Sequence, residues 1–223
     1  MVDSRKYFKD VESWDGAYEG KHGNDLLTKI ANKTIRKNIL LKRKKTVFDM
    51  IQPVKDKTVV DVGCGSGRFS FDIMDAGAKS VTGLDCNKPM IDYANSLKTK
   101  SVHSQKMEFI VDDASTYKIK SDVAMLIGVV GYYKDYRELL NNVTNNKHEF
   151  IMFDFLTNED KGVKTKIINS MVSSWAKVRS LEVYKHSKKD IISYMKSKNY
   201  GLVNENNELA GTLLKFKLST KGV

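Results

Sequence analysis

The sequence predicts an α/β protein, a doubly wound sheet with helices on both faces. Three observations predict it. Short apolar runs alternate with helical patterns from residue 58 onward. The connections between them are short, as successive βα units require. A glycine-dense turn, Gly63-x-Gly65-x-Gly67, joins the first apolar run to the first helical pattern. Ligands in such sheets settle at the carboxyl ends of the strands, near the switch in strand order. The residues that follow each strand therefore share one cleft.

The elements follow in order. The first twenty residues are aromatic and charged and read as short helical pieces. Asn24 to Ile51 is helical, with apolar residues at Leu27, Ile30, Ala31, Ile35, Ile39, Val47, Phe48 and Ile51. The run Lys42-Arg43-Lys44-Lys45 interrupts that stripe and is expected to project into solvent. Pro53 ends the segment. Thr58–Val62 is a short strand, and Arg68–Ala76 a helix closing on Gly77. Ser80–Leu84 is a strand, followed by a helix over Pro89–Leu97 with Asn87 as its N-cap. Met107–Val111 and Val123–Ile127 are strands, the latter wholly apolar as a buried parallel strand should be. Tyr136–Val143 is helical, Phe150–Phe155 is a strand, and Gly162–Trp175 reads as helical. Ser187-x-x-Asp190 is a capping signature opening a helix over Ser187–Lys198. Tyr200–Asn204 and Thr212–Leu218 complete the pattern as strands.

Composition bounds the function. A chain of 223 residues suits one domain with an accessory segment, and 41% hydrophobic residues can bury a core. The N-terminal "MVDSRKYFKD" has no apolar h-region, so a signal peptide is not expected. The longest apolar run, Val123 to Val130, is far short of the ~20 residues a bilayer needs. A cytoplasmic protein without membrane insertion is expected, as a monomer or homodimer. Cys64 and Cys86 form no C-x-x-C pair and read as reduced core residues. The net charge of +11 is uneven: from Lys161 onward there are 13 Lys and Arg against 4 Asp and Glu. An anionic substrate or a solvated basic face each account for that surplus.

The glycine turn narrows the ligand. The dinucleotide fingerprint G-x-G-x-x-G is one residue longer, and the P-loop needs a Lys-Ser/Thr that does not follow Gly67. Asp61, at the end of the strand, is ill-suited to a phosphate but fits a cationic group such as an α-ammonium.

On these residues "VVDVGCGSGRFS" resembles motif I of the Rossmann-like (class I) S-adenosylmethionine-dependent methyltransferases. The family's later marks occur in order. "VTGLDCNKPMIDYA" puts Asp85 and Cys86 at the tip of the second strand, where the family uses an acid to hold both ribose hydroxyls. "MEFIVDDASTY" ends the third strand in Asp112-Asp113-Ala114, and the resemblance aligns Asp113 with the acid that receives the adenine amino group. "DVAMLIGVVGYY" resembles the fourth-strand motif, whose stretch from Ile127 and Gly128 to Tyr133 would line the methyl-transfer site. The resemblance implies a seven-stranded, mostly parallel sheet with an antiparallel last strand. It implies S-adenosyl-L-methionine as cofactor and S-adenosyl-L-homocysteine as product. The cofactor-binding set is then Asp61, Gly63, Cys64, Gly65, Gly67, Asp85, Cys86, Asp112, Asp113, Ala114, Ile127 and Gly128. "YFKDVESWDGAYEG" is similar to the aromatic entry segment of small-molecule members of the family, a lid that adds Trp14 and Tyr18; ordinary packing on the core is the competing account. Residues 1–52 are assigned to this helical lid segment. Residues 53–223 form the cofactor-binding domain, with an insertion at about 156–186. A weaker similarity, here and in "VYKHSKKDIISYMKSKNY", is to magnesium-protoporphyrin O-methyltransferases.

Methyl transfer from a sulfonium is an in-line displacement that needs alignment at roughly 3 Å and exclusion of water. A base is needed only for a hydroxyl or a protonated amine. Asp154 in "FIMFDFLTN", Tyr132 and His22 in "GKHGN" are the catalytic candidates, and Tyr133, Arg179 and His186 the substrate-binding ones. His103 and His148 precede strands, on the opposite rim, and are expected in solvent. No cluster has metal-ligand spacing, so no metal is expected. The leading expectation is a methyltransferase for oxygen or nitrogen of a small, acidic or phosphorylated metabolite. An RNA or protein methyltransferase is the alternative: the basic charge favours nucleic acid mildly. Against it stands the fourth-strand end Ile127-Gly128-Val129-Val130, which lacks the Asn/Asp-Pro-Pro-Tyr/Phe run of enzymes that methylate exocyclic base amines. A non-catalytic cofactor-binding subunit is a third reading, disfavoured by the intact motif set.

Overall fold

The computed structural model describes residues 37–157, 182–207 and 211–219. The lid with Trp14, Tyr18 and His22, the helix expected over Gly162–Trp175, and Arg179 lie outside the described residues.

Helix α1 (Lys37–Ile51) falls within the segment expected to be helical from Asn24, whose earlier residues lie outside the described ones. It stops before Pro53, which lacks the N–H to continue it. Then come β1 (Thr58–Val62), α2 (Arg68–Asp75), β2 (Ser80–Asp85), α3 (Lys88–Lys98), β3 (Met107–Val111), β4 (Val123–Leu126), α4 (Tyr136–Asn145) and β5 (Phe150–Thr157). A two-residue strand β6 (Lys185–His186), α5 (Lys188–Ser197), β7 (Tyr200–Asn206) and β8 (Thr212–Leu218) follow. The expected caps form: Met90 N–H donates to the Asn87 side chain at 3.3 Å, and Asp190 N–H to Ser187 Oγ at 3.3 Å. Each satisfies an N–H that the first helical turn would otherwise leave unpaired.

Seven strands run in the order β3-β2-β1-β4-β5-β8-β7. Pairings from β3 through β5 are parallel, whereas β8 is antiparallel to both β5 and β7. The strand order reverses between β1 and β4, which sets the ligand crevice at their carboxyl ends. The short β6, which no periodicity could announce, extends the sheet beyond β5 by pairing Lys185–His186 with Leu156–Thr157.

Period-two alternation divides the strand residues between two cores. Val60, Ala124, Leu126, Ile151 and Phe153 pack with Leu139, Leu140, Val143, Ile191 and Met195 of α4 and α5. Val59, Val123, Met125 and Met152 point the other way, onto Val47, Met50, Ile51, Ile73, Met74, Ile91 and Ala94 of α1, α2 and α3. The helix over residues 37–51 is thus part of one core layer.

Two expectations are corrected here. The basic run in α1 does not simply face solvent. Lys42 and Lys45 are exposed, but Arg43 and Lys44 are half-buried. Arg43 pairs with Asp154 at the sheet, and Lys44 with Asp72 of α2 at 2.8 Å. Long basic side chains lay their stems along the helix and reach acids on neighbouring elements. His148 is not solvated: it is fully buried. Its ring lies within hydrogen-bond distance of Tyr117 Oη at 3.2 Å and Ser121 Oγ at 2.9 Å, and Tyr200 Oη donates to its carbonyl at 2.9 Å. Burial holds its pKa below the ordinary histidine value, which keeps the ring neutral. His103, by contrast, stays partly exposed beside Asp75, at 3.5 Å.

Candidate active site at the strand ends

The turn after β1 is built from left-handed backbone. Gly63, Gly65 and Gly67 have φ of +73°, +55° and +80°, a region that L side chains rarely adopt. Two of them differ in purpose. A Cβ on Gly63 would lie 2.4 Å from Cγ2 of Val129, so this glycine lets the turn pack on the end of β4. Among the described residues a Cβ on Gly65 would meet nothing within 4 Å, so on that side they leave space open above the turn. The N–H groups of Gly63 and Cys64 both donate to the Leu84 carbonyl, at 2.7 and 3.0 Å, and lock the turn against β2. The Cys64 thiol packs inward and donates to the Gly65 carbonyl. Burial pushes its pKa up, so it is a neutral filler there.

Asp85 ends β2 beside that open space. The Gly65 N–H donates to its Oδ2 at 2.9 Å, and the Asn87 N–H to its Oδ1 at 2.8 Å. A carboxylate has about four lone-pair positions, so two backbone donors orient it and leave acceptor capacity. Burial raises its pKa, and these two N–H bonds oppose the rise.

Asp61 lies deeper, 2% exposed, and accepts from Ser70 Oγ at 2.6 Å. Burial pushes its pKa up to about 7; the Ser70 bond opposes this, and the neighbouring Asp85 charge adds to it. A cation beside Asp61 would relieve that burial cost.

Just past β3, Asp112 Oδ1 accepts from the Asp113 N–H at 2.7 Å. Asp113 Oδ1 accepts from both the N–H and the hydroxyl of Ser115, at 2.7 and 2.6 Å, which fixes its carboxylate. The Ala114 carbonyl accepts from Asn142 at 3.2 Å, tying this loop to α4. Tyr133, expected at the acceptor, lies near Asp113 and Cys86 and hydrogen-bonds Ser115. Its pKa is pushed up, chiefly by burial. The structure therefore gathers Cys86, Asp113, Ser115 and Tyr133 on the β2–β3 side of the cleft.

The other side is formed by the ends of β4 and β5. Asp154 accepts the Gly128 N–H on Oδ1 at 2.6 Å and the Arg43 guanidinium on Oδ2. Arg43 is a functional candidate that the helical pattern of α1 hides. Its only sequence signal is a basic residue within a run read as a surface feature. Past Gly128, a 3₁₀ turn (Val130–Tyr132) carries Tyr132, whose N–H donates to the Val129 carbonyl at 3.0 Å. The segment entering β6 closes on this turn: the Tyr184 N–H donates to the Gly131 carbonyl at 2.7 Å. His186 follows, buried, its ring edge-on to Tyr136 at 5.2 Å. Burial lowers its pKa, while the backbone of Val130 and Tyr133 and the charge of Asp135 oppose this. Its Nε2 and the Tyr136 hydroxyl are buried without a hydrogen-bond partner among the described residues. Among the described residues no group of three or more His, Cys, Asp and Glu is placed to hold a metal ion.

A doubly wound sheet of this order, a left-handed glycine turn after β1 and acids at the tips of β1, β2 and β3 define a class I S-adenosylmethionine-dependent methyltransferase fold. Residues 59–146 match the methyltransferase domain family. The family's methyl donor is S-adenosylmethionine. The chain is 28% identical over 127 residues to tRNA U34 carboxymethyltransferase of Campylobacter fetus, covering 52% of this chain and 44% of that protein. It is 24% identical over 110 residues to ribosomal protein L11 methyltransferase of Pseudoalteromonas atlantica, covering 49% of this chain and 37% of that one. The chain spans less than half the length of these curated relatives. Among solved structures, magnesium protoporphyrin IX methyltransferase of Synechocystis PCC 6803 superposes with a TM-score of 0.72 at 16% identity, covering 96% of this chain and 98% of the other. Geranyl diphosphate C-methyltransferase of Streptomyces coelicolor gives 0.69 at 10% identity, with 96% and 95% covered.

The strand ends fit the donor. The space above Gly65 adjoins a carboxylate pre-oriented by two N–H groups. The buried Asp61 behind it would gain from a cationic neighbour.

Proposed function

We propose that the chain transfers a methyl group from S-adenosylmethionine to an oxygen or nitrogen of a small molecule. One observation carries the donor half of this reading: the open glycine turn and the two oriented carboxylates, Asp85 and Asp113, lie on adjacent strand tips. When bound, S-adenosylmethionine supplies a methyl group on a positively charged sulfur.

The chain's own residues divide the work. Asp85 accepts from the ribose hydroxyls with the acceptor capacity its two N–H bonds leave. Asp113 accepts from the adenine amino group, and Tyr133 and Cys86 wall that side. Gly65 lets backbone approach the amino-acid end, and Asp61 provides the negative charge behind it. Ile127, Gly128 and Tyr132 line the place where the acceptor meets the methyl. Since both oxygens of Asp154 are already engaged, we assign it to hold Arg43 and Gly128 rather than to take a proton. His186, buried beside the turn that carries Tyr132, keeps that turn in place. Alignment and water exclusion are then the main contributions to rate.

The small-molecule half is supported by the apolar end of β4, Ile127-Gly128-Val129-Val130. The solved structures matched nearly end to end include enzymes of magnesium protoporphyrin IX and of geranyl diphosphate. The curated relatives named for tRNA and a ribosomal protein, with the charge of +11, favour the second reading, an RNA or protein methyltransferase.

Calorimetric titration tests the donor half. S-adenosylhomocysteine is expected to bind and NAD not to, and Asp85→Ala should abolish binding. Binding of NAD without the homocysteine product would overturn it. Labelled donor with a metabolite extract, against total RNA and protein, decides the acceptor class.

A further inference from the structure

We propose that the amino-terminal edge of the sheet, on the side opposite the cleft, docks the phosphodiester backbone of a nucleic-acid strand. This concerns where such a strand is held and does not rest on the identity of the methyl acceptor.

The fold sorts the charge of the chain. In the order β3, β2, β1, β4 and β5, each strand is entered past an exposed lysine: Lys106, Lys79, Lys55, Lys120 and Lys147. On β8, which runs the other way, the exposed Lys217 pairs with Phe150 at the start of β5 and so lies at the same end. Lys100 and Lys118, also exposed, add to the loops before β3 and β4. Among the described residues the exposed acids at that end are Asp49, Asp56, Asp75 and Glu108; Asp49 is paired with Lys45, and Asp75 lies 3.5 Å from His103. Glu149 is paired with Lys57 at 2.5 Å. The strand tips at the cleft carry Asp61, Asp85, Asp113 and Asp154 instead, so the field of the sheet draws a polyanion to its amino end. The pull of helix C-termini does not account for the row. That effect fades beyond the last turn; it suits Lys147, two residues past α4, but not Lys120 or Lys217.

The loops that carry these lysines are fastened to one another. The Asp56 N–H donates to the Gly77 carbonyl at 3.0 Å and the Lys79 N–H to the Lys57 carbonyl at 2.8 Å, tying the entries of β1 and β2. The Thr58 N–H donates to Asp122 Oδ2 at 2.8 Å and the Phe150 N–H to the Asp122 carbonyl at 3.0 Å, tying those of β1, β4 and β5. The Leu218 N–H donates to the Glu149 carbonyl at 2.9 Å and brings in β8. Lys147 holds φ +57°, where glycine is the less strained residue. The lysine backbones are therefore fixed at the strand spacing. Neighbouring strands lie about 4.8 Å apart, so six of them set the charges along roughly 24 Å.

That form selects the partner. A row of point charges on flexible stems matches one phosphate strand, with its one charge per nucleotide. Val102, 93% exposed, is the large apolar side chain exposed in these loops, and one valine is too little to hold a bilayer. Among the described residues the loops expose no Phe, Tyr or Trp for base stacking, so contact is to phosphate and insensitive to sequence. β1 is five residues long, which sets the row roughly 17 Å from the cleft at about 3.3 Å per residue. The edge is a docking surface and not the acceptor site.

The experiment titrates the full chain, without methyl donor, into a labelled single-stranded RNA of mixed sequence and follows its anisotropy as salt is raised. Saturable binding is expected, with log affinity falling linearly against log salt. The triple variant Lys79→Gln/Lys120→Gln/Lys147→Gln should lower that slope by about 2, since each phosphate contact on a single strand contributes about 0.7. Lys134→Gln/Lys185→Gln/Lys189→Gln removes equal charge from exposed lysines on the cleft side and should leave the slope unchanged. No binding at low salt, an equal loss in both triples, or a larger loss in the cleft-side triple overturns the proposal. So does tighter binding to phosphatidylserine vesicles than to the RNA through the same three lysines, which gives the edge to a membrane. If the edge triple does not fold, acetylation footprinting of the native chain decides. RNA should shield Lys79, Lys120 and Lys147 and leave Lys134 and Lys189 reactive, and any other pattern overturns the idea. No methyl donor enters the test, so its outcome stands apart from the methyl-transfer reading.

Discussion

Asp61 keeps its proton to a pH at which a free aspartate has long lost it. Its pKa is about 7 in the folded chain against an ordinary 3.8, chiefly because burial penalises the charge. The folded state therefore binds more protons than the unfolded state between those values, and stability falls as pH rises through that window. Asp61→Asn should flatten this dependence between pH 4 and 7, and unfolding midpoints at pH 4.5 and 7.5 will show it. The same residue predicts a ligand effect of opposite sign. A cationic group bound beside Asp61 lowers its pKa, so affinity for S-adenosylhomocysteine should rise from pH 6 to 8 and then level. Calorimetry across that range checks it, and a flat profile would separate Asp61 from the amino-acid end of the ligand. His148 works in the other direction. Its ring is held neutral by burial, so the stability it contributes is present above its unfolded pKa near 6.5 and lost on acidification.

At the scale of elements, the glycine turn gives a contrast between two alanine substitutions. Gly63→Ala adds a left-handed alanine and an atom 2.4 Å from Val129. Backbone strain and overpacking together should cost about 2–4 kcal/mol in urea unfolding. Gly65→Ala meets no neighbour among the described residues, so the strain of about 1–2 kcal/mol is the cost expected. That variant should stay folded and lose ligand affinity, because the methyl group occupies the open space above the turn. Equal stability losses at the two positions would contradict the difference in packing. α1 depends on a different kind of contact. Lys215 is 6% exposed, with its ammonium on two carbonyls and over the Phe150 ring at 4.8 Å. Lys215→Met keeps the stem and removes the cap, and should destabilise by about 1–3 kcal/mol.

Across the whole molecule, what could be read from the chain was what is local. Alternation of period two and period 3.6 located β1 to β5 and α2 to α5 to within two residues at most ends, because each element's burial is written in its own side chains. The glycine turn and the acids at Asp61, Asp85 and Asp113 were legible for the same reason: strand tips converge on one edge of a parallel sheet. Contacts between distant segments were not legible. The Arg43–Asp154 pair joins residues far apart in sequence, and a basic run on a helix has the same pattern whether it meets water or a carboxylate. His148 was misplaced because a histidine ahead of a strand gives no sign that Tyr117, Ser121 and Tyr200 will enclose it. The two residues of β6 are too few for any period. Among the described residues no helix is long and apolar enough to cross a membrane.

The place of β8 in the sheet has a consequence for how the chain acquires its form. Among the described residues β7 has no strand neighbour but β8, and β8 is wedged between it and β5. Until β8 is made, the parallel half of the sheet ends at β5, whose edge over Phe150–Phe155 waits for its partner. Helix α1 then still lacks the lysine that caps it. Such an intermediate exposes unpaired backbone suited to joining another chain, and closing it requires a contact that spans most of the sequence, from residue 215 back to 51. Contacts of that span form late. A chain released or cut before residue 212 would therefore keep the glycine turn while leaving α1 without its C-terminal cap.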